Sequence, residues 1–418
     1  MIERYTCENG LRIVTEKIPS VRSVALGIWV GTGSKFEQES NNGISHFLEH
    51  MFFKGTTSRS AKEIAEAFDE IGGHVNAFTS KEYTCYYARV LDQHTPIALD
   101  VLADMYFASM FEPGELEKEK NVVIEEINMY EDTPDDLVHD LIARASYADH
   151  PLGYTILGTE DVLRSLRRED LLTYIDQRYL PSNTVVSVAG NFDSALIEEI
   201  KRRFSAFSRT GQEASIPAPA FAANSIVQHK ATEQAHLCLS LPGFRVGHEQ
   251  IYSLILLNNI LGGSMSSRLF QEIREERGLA YSVYSYHSSY RESGTFTIYT
   301  GTAPEQVGEV FDIITNVLHQ VMDKGITDRE LHKGKEQLKG SLMLSLESTN
   351  SRMSRLGKNE LLLGYHLSLD EIIAKIDQVT FESVQQVAKQ LFASKMALAM
   401  VSPLDSFPAN VRSDILLS

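Results

Sequence analysis

The sequence predicts an α+β protein built from two copies of one unit. Three observations carry that expectation: a length of 418 residues, a stretch rich in Pro, Ala, Gly and Ser near the middle, and the same order of elements on either side of it. At roughly 150 residues per domain, the length implies two or three domains with well-packed cores. The segment 208–225, SRTGQEASIPAPAFAANS, keeps neither helical nor strand periodicity and is read as a linker between residues 1–207 and residues 226–418. A repeat period of about 200 residues indicates a duplicated domain and not a solenoid.

Each half opens on an apolar strand, 24–30 in the first and 235–241 in the second. A turn and a helix follow. In the first half the helix is GISHFLEHMFF; in the second it is YSLILLNNILG, followed by SSRLFQEIREERG. Next comes a strand of alternating pattern, 73–90 and then 279–299, and after it two amphipathic helices. A helix over 61–71 closes on Gly72 and Gly73, where glycine tolerates the left-handed conformation. Further helices are expected at about 97–109 and 115–130. The segment HVNAFTS, 74–80, leaves the double glycine as a strand suited to a sheet edge.

Composition narrows the function classes. Fifty-six acids against 39 Lys plus Arg leave a formal charge of −17, which opposes binding to nucleic acid or anionic lipid and favours basic or neutral partners. Hydrophobic residues at 43% and charged residues at 23% match a folded globular chain, not a disordered or fibrous one. Cys7, Cys85 and Cys238 are odd in number and widely spaced, so they supply neither a disulfide framework nor a thiolate metal knuckle. A reducing compartment is expected. The start of the chain lacks a basic region followed by an apolar one, and no stretch nears the roughly 18 apolar residues of a membrane span. A cytoplasmic protein with no membrane partner is the expectation.

His46, Glu49 and His50 form HFLEH within GISHFLEHMFFKGT, where Ile44, Phe47, Leu48, Met51 and Phe52 make a mostly buried helix. At 3.6 residues per turn the two imidazoles project from one face about one turn apart, within reach of one ion. Glu49 lies close to that face, where a carboxylate can take a proton from a water polarised by the ion. H-x-x-E-H is the inverted, inverzincin counterpart of the thermolysin-type H-E-x-x-H. The competing reading is a helix with two packed histidines. It leaves a costly buried charge at Glu49 with no cation beside it.

A third ligand must come from elsewhere, and segment 111–140 is the best supply. It holds eleven acids and two lysines, over half of the chain's negative excess. In EKEKNVVIEEINMY, Glu119 and Glu126 are seven apart and share a face with Val122 and Val123, so both are expected to point inward. Glu117 and Glu125 are expected in solvent. The glycines of LGGSMSS lack the Lys of a P-loop and GxGxxG is absent, so nucleotide binding has no support.

The runs GTGSKFEQESNNGISHFLEHMFFKGT, GGHVNAFTSKEYTCYYA, EKEKNVVIEEINMYEDTP and HPLGYTILGTEDV resemble the pitrilysin-type zinc peptidases. The resemblance is strongest to the catalytic subunit of mitochondrial processing peptidase and its single-chain prokaryotic relatives, and it covers nearly the whole chain. It implies one Zn²⁺ per chain, held by His46, His50 and a glutamate 76 residues after His50, which is Glu126. It implies Glu49 as catalytic base and Glu119 as a supporting acid. Arg274 and Tyr281, in IREERGLAY, have the spacing of the pair that insulin-degrading and related peptidases use near the scissile carbonyl, where a cation and a phenol can stabilise an oxyanion. Asp136 and Asp140 match acids with which the processing peptidase reads an arginine; a solvated helix start is the competing reading.

The second half carries NNILGGSMSS where the first carries HxxEH, so one half alone can bind this metal. The resemblance further implies mixed, mostly antiparallel sheets with helices on one face, and four such units around a closed chamber. One chain supplies two units, so a homodimer is expected. The expected activity is zinc-dependent endoproteolysis of extended peptides, basic or neutral, added as a strand along Asn76, Ala77 and Phe78. The alternatives are an inactive scaffold of the same fold, and a catalytic subunit needing a different partner chain. The intact HxxEH and Glu126 argue against the first, and Arg274 and Tyr281 on the same chain argue against the second.

Overall fold

The computed structural model describes residues 2–209, 211 and 216–417. Within the expected linker, residues 210 and 212–215 therefore lie outside the described residues. The chain forms two compact units, each with one mixed sheet.

The first unit comprises Met1–Asn128, Tyr154–Ile216 and Ser345–His366. Its strands are β1 (Ile2–Thr6), β2 (Arg12–Lys17), β3 (Ser23–Val30), β4 (His74–Thr79), β5 (Thr84–Leu91) and β6 (Thr184–Gly190), in spatial order β1-β2-β6-β3-β5-β4. The continuous apolar runs of β3 and β6 are buried on both faces and take the centre. β4 exposes every other residue at its start and takes the edge, where the alternation of HVNAFTS placed it. The pair β2–β6 is parallel and the other pairs are antiparallel.

The second unit comprises Met129–Gly153, Pro217–Leu344 and Leu367–Ser418. Its strands β7 (Ser225–His229), β8 (Ala235–Pro242), β9 (Ala280–Ser289), β10 (Gly294–Thr302) and β11 (Ala397–Ser402) run in order β7-β11-β8-β10-β9, with β7–β11 parallel. That pattern of one parallel pair followed by three antiparallel ones repeats β2-β6-β3-β5-β4. The duplication is thus a duplication of topology.

Two stretches expected as single strands are hairpins. Residues 73–90 turn at 80–83, where Ser80 Oγ donates to Tyr83 O at 3.0 Å, and Glu82 is buried against Lys35 at 2.8 Å. A turn whose glutamate is buried against a lysine 47 residues away in sequence hides part of the polar break that would mark it. Residues 279–299 turn where Tyr290 N–H donates to Ser293 O at 2.8 Å. The expected second helix over 266–278 carries a π-helical turn at Phe270–Glu275.

The main helical layer of each sheet lies on one face, and a single further helix covers the other. On the first sheet this is Thr349–Leu362, which comes from the second half of the chain. Met353, Leu356 and Leu361 pack there with Trp29, Cys85 and Val185. The approach is close: a Cβ on Gly357 would stand 2.2 Å from Trp29 Nε1, and one on Gly27 would stand 2.5 Å from Met353 Sδ. On the second sheet the covering helix is Pro134–Tyr147, from the first half, whose Leu137, Val138, Leu141 and Ile142 pack with Cys238, Tyr299, Ala399 and Val401. The segments 129–153 and 345–366 therefore group with the opposite sheet from the one that a cut at 208–225 assigns them. Among the described residues no helix is long and apolar enough to cross a membrane. The three cysteines are free.

Candidate metal centre

The helix Ile44–Met51 is short and strongly amphipathic, with Ile44, Phe47, Leu48 and Met51 sealed in the core. Its N-cap is Gly43 at φ +98°, a position closed to other residues because a Cβ would lie 2.5 Å from Leu157 O. Glycine supplies no side-chain cap. Glu37 does so from six residues upstream, accepting from Gly43 N–H at 2.8 Å, Ser45 N–H at 2.9 Å and Asn42 Nδ2 at 2.8 Å. This carboxylate is wholly buried; burial pushes its carboxyl pKa up, opposed by those three donors. A negative charge among the free N–H groups of a helix start is well placed. The helix is thereby fixed at the end nearest His46.

His46 and His50 leave one face of this helix with ring centroids 4.7 Å apart. Glu126 arrives on the helix Pro113–Glu131, and its Oε2 lies 3.8 Å from His46 Nε2 and 3.5 Å from His50 Nε2. Neither separation is that of a good hydrogen bond. Two zinc–ligand bonds of about 2.0 Å at the tetrahedral angle span about 3.3 Å, so the three atoms stand as donors around a common centre. Among the described residues this is the one set of three or more His, Cys, Asp and Glu whose ligand atoms all fall within 4.8 Å of one another. Burial lowers His46 to about 3, keeping it a neutral donor, and its Nδ1 is buried without a hydrogen-bond partner. The residues fit a zinc ion with two imidazoles and one carboxylate.

The surrounding groups orient that set. His50 Nδ1 lies 2.9 Å from Glu119 Oε1, and Lys54 Nζ lies 2.6 Å from the other oxygen of Glu119. An ionised Glu119 can only accept, so Nδ1 is the nitrogen that donates to it, and a neutral His50 then keeps Nε2 free to ligate. Burial acts to raise the Glu119 carboxyl, but His50 and Lys54 outweigh it and hold the group below the usual carboxylate range. For His50 burial is likewise outweighed, by Glu119, Glu126 and Glu49, and its pKa rises.

Glu49 is half-buried on the same helix. Burial pushes its carboxyl up, opposed by the hydroxyl of Thr79, which donates to Oε2 at 2.6 Å. A cavity of about 480 Å³ opens beside it, with Phe53, Ile64 and Val75 among its apolar lining and Asn76 on its wall.

Of the other residues singled out by sequence, Ala77 lies on edge strand β4 with its N–H held by Asn76 Oδ1 at 2.8 Å. Phe78 instead packs edge-on against Trp29, with ring centroids 5.6 Å apart. The helix 113–131 exposes Glu117 and Glu125 as expected, but it exposes Val122 as well, at 51%. The inward stripe is Leu116, Glu119, Lys120, Val123, Ile124 and Ile127; at 100° per residue Val122 falls outside the arc those six span.

In the second unit Arg274 and Tyr281 do meet. The guanidinium sits 4.6 Å from the Tyr281 ring centroid and 4.8 Å from that of Phe270, and it donates to Tyr281 O at 2.9 Å. Tyr281 is 76% exposed. Asp136 is exposed and Asp140 half-exposed on the helix Pro134–Tyr147, and both act with burial to raise the Tyr130 phenol. Sequence reasoning missed Glu37, Lys54 and Thr79. Only Thr79 carried a signal, as the terminal member of the β4 alternation.

Comparison with known proteins bears on the family and the fold. Residues 12–160 match the family model for insulinase, peptidase family M16, and residues 165–338 match that for the M16 inactive domain. A Bacillus subtilis protein named uncharacterized zinc protease YmxG is 58% identical over 98% of this chain and 100% of its own length. An uncharacterized zinc protease of Streptomyces coelicolor is 42% identical over 96% of this chain and 90% of its own. A solved protease from Helicobacter pylori superposes with a TM-score of 0.89 at 24% identity, covering 96% of this chain and 99% of that one. An M16 inactive domain from Pseudomonas fluorescens superposes at 0.90 with 21% identity, covering 97% and 99%. At those identities the two structures speak for the fold. Taken with the matches across both halves and to the curated relatives, they lead to one conclusion: the chain belongs to the insulinase family of zinc peptidases, peptidase family M16.

Proposed function

We propose that this protein is a zinc-dependent endopeptidase that cleaves extended peptides by a base-assisted hydrolysis centred on Glu49. The observation that carries the reading is the convergence of His46, His50 and Glu126 with a half-buried carboxylate on the same short helix. Zinc held by these three residues would act as a Lewis acid, polarising the attacking water and the scissile carbonyl. Glu49 takes the proton of the attacking water and returns it to the leaving amine. Glu119 holds His50 in the tautomer that leaves Nε2 free to ligate.

The peptide is bound as an added strand along β4. The edge position of that strand and the exposed Asn76 support this mode, in which backbone pairing selects for extended chain with weak sequence preference. The substrate must displace Asn76 Oδ1 from the Ala77 N–H to pair there. Acids along segment 111–140 favour basic or neutral peptides at low salt, and Asp136 and Asp140 are offered as contacts for a basic side chain. Free cysteines fit a cytoplasmic setting.

Incubating the purified protein with a mixed peptide library, with and without chelator, tests this reading. Expected are fragments that vanish with chelator, come from unfolded peptides and not from folded proteins, and favour basic sequences as ionic strength falls. Cleavage that persists after zinc is stripped would overturn it.

We extend the proposal to a homodimer whose two chains enclose a chamber, with Arg274 and Tyr281 of one chain completing the site of the other. The exposed, stacked Arg274/Tyr281 pair lies on the half that lacks metal ligands, which supports a role toward a site it does not itself contain. Arg274→Ala and Glu49→Gln chains should then each be nearly inactive alone and recover on mixing. In a mixed dimer one site carries both defects and the other neither. Random exchange makes about half of the dimers mixed, which gives about a quarter of wild-type turnover. No recovery despite demonstrated subunit exchange would place the Arg274 contribution within one chain or remove it from catalysis.

A further inference from the structure

The sequence motif accounts for where Glu49 sits along its helix, but not for which way its carboxylate points. A glutamate has three rotatable bonds, and a base must be held within hydrogen-bond reach of the proton it takes. The orientation comes from Thr79, whose hydroxyl donates to Glu49 Oε2 at 2.6 Å.

Thr79 is itself well anchored. It closes β4, and opposite it Thr84 is buried, with its hydroxyl donating to Thr32 O at 3.0 Å. The turn that follows is closed by Ser80 and Tyr83 and tied down by the buried pair Lys35 and Glu82. A hydroxyl on this support spends little conformational freedom in meeting the carboxylate. Bonded to a carboxylate, it is a charge-assisted donor, the stronger class of hydrogen bond.

We infer that Thr79 is a positioning residue for the general base: it occupies Oε2 of Glu49 so that Oε1 is presented to the attacking water. Because Thr79 terminates the strand on which the peptide is added, it also ties the base to the substrate-bearing edge. This inference rests on the reading of Glu49 as the base.

Thr79→Val keeps the β-branched shape and removes the donor, and Thr79→Ser restores the donor alone. The valine variant is expected to lose roughly ten- to hundred-fold in kcat, the worth of one hydrogen bond to a charged group, with KM and zinc per chain unchanged. The serine variant should regain most of that loss. Wild-type kcat in Thr79→Val would overturn the inference, as would a loss that serine does not restore, or one that appears in KM or zinc content. Glu49→Gln is measured alongside. An inactive glutamine variant beside a fully active valine variant removes Thr79 and leaves the base in place, whereas an active glutamine variant removes both.

Discussion

Glu49→Gln is expected to lower turnover roughly 10²- to 10⁴-fold while leaving zinc bound, the range that general acid–base assistance contributes. The amide matches the carboxylate in shape, and its carbonyl oxygen can still accept from Thr79, now at 2.6 Å from Oε2. Glu49 is not among the three clustered ligand residues, so the metal set of His46, His50 and Glu126 stays whole. What the change removes is a group able to carry a proton at neutral pH. Zinc per chain and single-turnover rates on one peptide measure the two properties separately. Near wild-type cleavage by the glutamine variant would take Glu49 out of the base role.

His50→Ala should abolish zinc binding itself. The substitution deletes one of the three donors and also strips Glu119 of the partner at 2.9 Å, leaving that buried carboxylate with Lys54. The metal and the cleavage should disappear together. Stability supplies a second readout, since a ligand that binds only the native state raises its stability by about 4 kcal/mol when free ligand exceeds Kd ~1,000-fold. Added zinc should therefore raise the unfolding midpoint of the metal-stripped wild type and leave that of His50→Ala unmoved. Stoichiometric zinc in the variant, or a zinc-dependent midpoint like that of the wild type, would remove His50 from the ligand set.

Local pattern alone determined a good part of this protein. The i, i+4 spacing of His46 and His50 on an apolar helix places two imidazoles on one face whatever the rest of the chain does. The alternation of HVNAFTS makes a strand with one open side, and the lack of any HxxEH after residue 50 assigns the metal to the first half. Topological duplication was legible because the same order of apolar runs occurs twice.

Tertiary structure decided the rest, because periodicity says which face of an element is buried but not what covers it. Glu119 and Glu126 share a helix face and are equally inward by pattern. Only the packing of the helix 113–131 against the helix 44–51 sets Glu119 on His50 Nδ1 and brings Glu126 Oε2 near both Nε2 atoms. A division at 208–225 leaves the helices 134–147 and 349–362 each with its own half, yet each lies on the sheet built mainly from the other half, since an apolar stripe fits either sheet equally well until the chain closes. The buried charges were hidden for the opposite reason. Glu37, Lys35 and Glu82 look like surface residues in sequence, and they are tolerated inside only because helix N–H groups or an opposite charge from distant positions meet them there.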